Sequence, residues 1–176
     1  MTQRTRTYSW SDPLATAEVL RDMPGLDAIR MVAAGELPPP PIATLLGFDL
    51  VEVDEGRAVF AAVPGPEHYN PIGMVHGGLA ATLIDSATGC AVHTTLPAGT
   101  AYTTTDVQVR FVRPITRDTG RIECVGEVVH RGRTTATAQA RLTAGDKLLA
   151  HGTASLLILP SDARTGSTGP PASGSG

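Results

Sequence analysis

Asn70, Gly77, Gly78 and Asp85 stand close together in the stretch NPIGMVHGGLAATLIDS, residues 70–86. As residue types they form a chemical set. A carboxylate can act as base or nucleophile, and a carboxamide can orient water. Backbone N–H groups left free at a helix start can face an anion or an oxyanion. Glycines at the head of that helix let a ligand approach the main chain. Together these are the parts needed for attack on an acyl carbon. Asp85 needs the most explanation. Aspartate is a poor helix-interior residue, and burying it ionised costs on the order of several kcal/mol. Either it is a satisfied interface residue, bonded to a neighbouring Ser, Thr or backbone group, or it is aimed at a reacting centre.

The helix that carries it spans roughly residues 77–94. At about 100° per residue, Leu79, Leu83, Ala87, Cys90 and Ala91 fall on one face. Gly78, Ala81, Asp85, Thr88, Gly89 and Val92 fall on the other. A helix with no charged face is buried all round. Small residues on the second face let another backbone come close, which predicts a second subunit there and a homo-oligomer of at least two chains. Around this helix the chain alternates as strands at 48–54, 57–63, 102–112, 121–130, 134–144 and 147–159, with turn residues between them. Short connections impose antiparallel pairing. The expected class is α+β, with helices on one face of the sheet.

The ends differ in character. Asp12-Pro13 has the form of an N-cap followed by proline at the first helical position, with apolar residues at 14, 17, 20 and 23. A second short helix follows and closes near Gly35, and Pro38 to Pro41 are expected to be extended. Residues 1–41 thus form a helical arm with a Pro-rich linker, 42–160 the main domain, and 161–176 a Gly/Ser/Pro-rich disordered tail.

Composition sets the outer limits. The 176 residues carry 14 Lys+Arg against 17 Asp+Glu, a formal charge of -3, with no basic run, so no nucleic-acid partner is expected. No apolar run has membrane-spanning length and no signal peptide is evident, so the expectation is a cytoplasmic protein without membrane contact. Cys90 and Cys124 have neither metal-ligand nor redox spacing, and no metal site is expected. His68, His93, His130 and His151 show no ligand spacing either and fit surface or strand positions.

The pattern Asn70-x-x-Gly-x-x-His76-Gly77-Gly78 followed by Asp85, with Thr104-Thr105-Asp106 through Phe111-Val-Arg113-Pro114, resembles the PaaI-like hotdog-fold acyl-CoA thioesterases of the 4-hydroxybenzoyl-CoA thioesterase superfamily. The resemblance covers about residues 40–159. It implies a hotdog fold, an antiparallel sheet wrapped around one long helix, with subunits paired as dimers or tetramers and sites between them. It implies that Asp85 is the catalytic acid, acting as general base or nucleophile. Gly77 would supply the N–H that polarises the thioester carbonyl. Asn70 of the opposite subunit would position water or the leaving thiolate. Thr104 would lie beside the carboxylate, with Thr103 and Thr105 as neighbours that could take its place. His76 fixes the turn and, with Gly78, stands among the substrate-contacting residues. The Arg131-Gly132-Arg133 turn would meet the phosphates of coenzyme A, which suit arginine donors. The implied substrate is an acyl-CoA, and hydrolysis needs no cofactor because water is the second substrate.

Other classes fit less well. No Gly-x-Ser-x-Gly elbow accompanies the His-Gly-Gly segment, and no Gly-Lys-Ser/Thr follows the glycines. A hotdog hydratase or dehydratase would need a His paired with an acid, and His76 is nine residues from Asp85. A non-catalytic acyl-CoA-binding module usually lacks the catalytic acid. The acyl group itself is not legible in one chain.

Overall fold

A computed structural model describes residues 3–159. The expectation for 161–176 lies outside the described residues. The chain opens with α1 (Pro13–Leu20), α2 (Gly25–Ala33) and α3 (Pro41–Leu46). The Asp12 carboxylate accepts from the Leu14 N–H at 2.9 Å and Pro13 takes the first helical position, so α1 starts where its cap chemistry dictates. Gly35 closes the α2 region with φ of +73°. Pro41 departs from the extended expectation, because it opens α3. Proline is pre-organised for a first helical position, where no N–H is needed, and Pro40 before it stays extended at ψ of 143°. The expected boundary at 41/42 therefore falls inside a helix.

The rest is one six-stranded antiparallel sheet around one long helix. The strands are β1 (Phe48–Asp54), β2 (Arg57–Ala62), β3 (Ala101–Phe111), β4 (Ile122–Arg131), β5 (Thr135–Ala144) and β6 (Lys147–Leu159). The helix, α4 (Gly77–His93), lies between β2 and β3 in the chain. Spatially the strands run β1-β2-β4-β5-β6-β3, so β1 and β3 are the edges. No described helix is long and apolar enough to cross a membrane.

The sheet's inner face is lined by small side chains where α4 crosses it. Ala136, Ala138, Ala140 and Ala154 are buried there, with glycines at 126 and 152. A Cβ on Gly126 would collide with the Ala87 carbonyl, and one on Gly152 would stand 2.9 Å from Ile84 Cγ2. The helix therefore packs against main chain rather than against side chains. Leu79, Leu83, Ile84, Ala87 and Ala91 then fill the core with Phe48, Phe60, Ile122 and Leu142.

The second face of α4 needs a correction. Thr88, Gly89 and Val92 are buried within the single chain. Tyr102 of β3 lies over Gly89, its hydroxyl 2.7 Å from where a Cβ would stand. What stays half-open is a narrower stripe of Gly78, Ala81, Thr82, Asp85 and Ser86. Two of the histidines were also misjudged. His68 is buried, its Nδ1 accepting from the Gly65 N–H and its Nε2 donating to the Leu46 carbonyl, each at 2.9 Å. His93 sits at the end of α4 against the Tyr102 ring, with centroids 5.5 Å apart. No spacing rule places a histidine that serves as a hydrogen-bonded pin between loops.

Gly126→Ala is expected to cost about 1–3 kcal/mol, the range for overpacking a dense core. The added methyl meets a main-chain carbonyl that cannot rotate away. Urea unfolding should show a lower midpoint at unchanged m-value, and an unchanged midpoint would refute the close approach.

Candidate active site

Asp85 sits in the third turn of α4, half-buried and facing edge strand β3. Its Oδ1 accepts from the Thr104 hydroxyl at 2.9 Å. Thr104 is selected over its neighbours by a local irregularity. The β3–β6 register shifts between Thr104 and Asp106, and the extra residue, Thr105, turns outward and donates its hydroxyl to the Ser155 carbonyl at 3.0 Å. A bulge of this kind re-aims the side chains beside it. Thr103 is exposed. Asp85 Oδ2 has no intrachain hydrogen bond among the described residues, and no described cation pairs with the carboxylate. Below Asp85 the Thr88 hydroxyl donates back to the Ile84 carbonyl at 2.8 Å, so it is not a partner of the carboxylate.

The turn ahead of α4 is held by its own side chains. Asn70 Oδ1 accepts from the N–H groups of Ile72 and Met74, both at 3.1 Å, and the Asn70 N–H donates to the Met74 carbonyl at 2.8 Å. The carboxamide oxygen is thus committed to the turn, and only Nδ2 is left to meet a ligand. His76 caps the helix: its Nδ1 accepts from the Gly78 N–H at 2.9 Å. That bond removes Gly78 as an oxyanion donor and fixes the proton on Nε2 when the ring is neutral. The Gly77 N–H has no intrachain partner among the described residues. Gly77 is also the residue that Phe111 lies against, with the ring tip 3.0 Å from a would-be Cβ. Asn70, Met74, His76, Gly77, Phe111 and Arg113 line part of a cavity of about 440 Å³ at this helix start.

Within one chain the Asp85 carboxylate and the cavity at the helix start are separate places. Asp85 does not line the cavity at the helix start. Eight residues of α4 separate it from Gly77, about 12 Å along the axis at 1.5 Å per residue. The same spacing keeps His76 away from Asp85 of its own chain, and its Nδ1 already accepts from the Gly78 N–H. The His–acid pair that a hydratase requires is thus not formed within the chain.

Arg131 and Arg133 flank Gly132 at the β4–β5 hairpin, where the Gly132 N–H donates to the Thr135 carbonyl at 2.8 Å. Both arginines are exposed, and neither has a hydrogen-bond or ion-pair partner among the described residues. The strand register carries Thr104 to Leu156, Leu156 to Ala136, and Ala136 to Arg131. The hairpin thus lies level with Thr104, three strands away.

The cysteines are chemically quiet. Burial, with the Asp85 charge second, pushes the Cys90 thiol up to about 12, and burial alone takes Cys124 to about 12. Neither is a thiolate nucleophile near neutral pH. Burial raises the Tyr102 hydroxyl well above its ordinary value too, with Cys90 and Asp85 adding to it. Among the described residues no group of three or more His, Cys, Asp and Glu side chains could hold a metal ion. Sequence reasoning missed Phe111 as a wall of the cavity at the helix start and Tyr102 as the cover over Gly89. Phe111 shares its alternate positions on β3 with the half-buried Val107 and Val109, yet it leans out over the helix start, 61% exposed.

Comparison with known proteins gives a consistent set of relatives. Residues 72–151 match the Thioesterase superfamily. Human acyl-coenzyme A thioesterase 13 is 31% identical over 105 residues, 58% of this chain and 74% of that protein. A relative from Halobacterium salinarum is 42% identical over 69 residues, but the match spans only 44% of that protein's length. Among solved structures, a thioesterase family protein of Silicibacter pomeroyi superposes with a TM-score of 0.67 at 25% identity, covering 74% of this chain and 98% of that one. A variant of the phenylacetic acid degradation protein PaaI of Thermus thermophilus gives 0.61 at 28% identity, covering 67% and 98%.

Proposed function

The chain belongs to the thioesterase superfamily and has its hotdog fold, and from that premise we propose that it is an acyl-CoA thioesterase. The observation that carries the reading is the Asp85 carboxylate. It is half-buried, held at one oxygen by Thr104, unpaired at the other, and carried on a helix with no other carboxylate. Such a group takes a proton from water as the oxygen adds to the thioester carbonyl. Alternatively it adds to the carbonyl itself, giving a mixed anhydride that water then cleaves. In both routes the thiolate of CoA leaves with the C–S bonding pair and takes up a proton, and the acyl group departs as the free acid. The negative charge that grows on the carbonyl oxygen needs a donor fixed in place beforehand, and the unspent Gly77 N–H at the positive end of α4 is suited to that role.

The two half-sites act on one carbonyl only if a second copy brings them together. Strand β3 is an eleven-residue edge with an unpaired side. Exposed edges of that length invite pairing. A two-fold axis perpendicular to the strands at this edge pairs β3 with itself in antiparallel fashion. It sets the partner's α4 in the reverse direction, so that the Asn70–Gly77 end of one chain meets the Asp85 region of the other. The Asn70 Nδ2 then serves the site as an amide donor to water or to the leaving sulfur. The unpartnered Arg131 and Arg133 are suited to the nucleotide phosphates of CoA.

Asp85→Asn keeps the size and removes the charge. It should fold and bind acyl-CoA, while kcat falls by at least about 100-fold, the lower range for losing general-base action. Hydrolysis of acyl-CoA at near-normal kcat would sink the assignment. Sedimentation at micromolar concentration should find a dimer or larger assembly, and a compact monomer that still turns over substrate would overturn the composite site. Replacing Arg131 and Arg133 together by Ala should raise KM for acyl-CoA and leave a truncated pantetheine thioester, which lacks the nucleotide phosphates, nearly unaffected. Equal losses on the two substrates would remove the arginines from that role.

A further inference from the structure

A second cavity, of about 530 Å³, lies between the N-terminal arm and the body of the fold. That volume is within the roughly 300–1,000 Å³ of small-molecule sites. Leu20, Ile29, Val32 and Leu37 line it from the arm, and Phe48 and Phe60 from the sheet. Asp49 is the only charged residue in the lining, and it is exposed on β1 between the inward Phe48 and Leu50. The arm is anchored chiefly by α2, with the Arg21 carbonyl at the end of α1 accepting from the Gly99 N–H at 2.9 Å. The Gly25 N–H donates to the Leu96 carbonyl at 2.9 Å, Gly25 abuts the His93 carbonyl, and Ala28 and Ile29 are buried. Helix α1, by contrast, has no buried residue, and Thr16, Ala17 and Leu20 border the cavity instead of a packed core. Protein interiors are close-packed, and side chains around a void this large lose their dispersion contacts. A cavity of this size with a mostly apolar lining suits an apolar guest.

The cavity also touches the helix of the reaction site. Cys90 and His93 form its α4 wall. They follow Asp85 by five and eight residues, about 8 and 12 Å along the axis and about 140° and 80° around it, so the way from Asp85 to this wall runs around the helix past the half-open Ser86. The Asp85 charge is felt at the Cys90 thiol, so the wall and the carboxylate are electrostatic neighbours.

Resting on the thioesterase reading above, we propose that the cavity under the arm is the acyl chamber, and that its occupant is an aliphatic acyl chain of medium length whose thioester carbonyl stands at Asp85. A two- or four-carbon acyl group is too short to cross the gap from Asp85 to Cys90. A longer chain crosses it and replaces the missing contacts between α1 and the body. The arm thereby sets chain-length preference without touching the reacting atoms.

The chamber is tested by filling it in the full-length chain with Leu20→Trp together with Val32→Trp. For decanoyl-CoA, kcat/KM should fall at least about tenfold, the loss expected when roughly two methylenes are kept from an apolar site. For butyryl-CoA it should stay within about twofold. An unchanged ratio between the two esters overturns the proposal. A measurement on the unfilled cavity removes any dependence on how that variant folds. Decanoyl-CoA with a photoreactive diazirine on its terminal carbon is bound to the Asp85→Asn chain, where the thioester survives, and the labelled peptides are identified by mass spectrometry. Label in residues 13–50 or at Cys90 supports the chamber, and label confined to β3 or to residues 70–77 rejects it. Failure of the unsubstituted protein to hydrolyse either ester would defeat the thioesterase reading, while the labelling still decides the chamber.

Discussion

The closeness of α4 to the sheet is the constraint on which the other features rest. At Gly126 the helix carbonyl of Ala87 occupies the space a side chain would need, and at Gly152 Ile84 does so. Helix and sheet can approach to this degree only because the facing row is alanine and glycine. The contact leaves little free volume, so the rotation of the helix about its axis is fixed. With that rotation fixed, Leu83 and Ala87 point to the sheet, and Asp85 is turned toward β3 within hydrogen-bond reach of Thr104. A helix free to roll could not hold one carboxylate at a defined place.

The same constraint explains how a charge is tolerated in an apolar helix. Asp85 is only half-buried, one oxygen is met by a hydroxyl, and the other stays open. The desolvation cost is therefore partial rather than complete. What remains open is what a reaction uses. In the turn ahead of the helix, Asn70 and His76 spend their acceptors on backbone N–H groups. That spending isolates a single unclaimed donor, Gly77. Rigidity in the turn and openness at one N–H are two results of the same bonds.

The arm follows a different principle. It is held mainly where α2 meets β1 and the end of α4, while α1 stands off with no buried residue. The family match begins at residue 72. Residues 13–41 are thus outside the matched segment, and they shape the cavity beside Cys90 and His93. Asp85 and Gly77 lie in the matched segment, and the arm walls the cavity beside it.

Much of this was legible in the residues themselves. Alternation and turn residues determined six strands to within a residue or so, because a strand's period of two is a local property. The cap at Asp12-Pro13 and the start of α4 at Gly77 were equally local. The isolated acid in an uncharged helix was visible in the residues alone, and Asp85 is half-buried beside Thr104. Tertiary structure decided what depends on residues distant in the chain. It chose Thr104 through a bulge defined by β6, buried Gly89 under Tyr102, and turned Phe111 out over Gly77. It showed that Gly78 and the Asn70 oxygen are already engaged, which depends on three-dimensional angles that spacing does not encode. It also separated Asp85 from Gly77 within one chain, because eight residues of helix are rigid and cannot fold back on themselves.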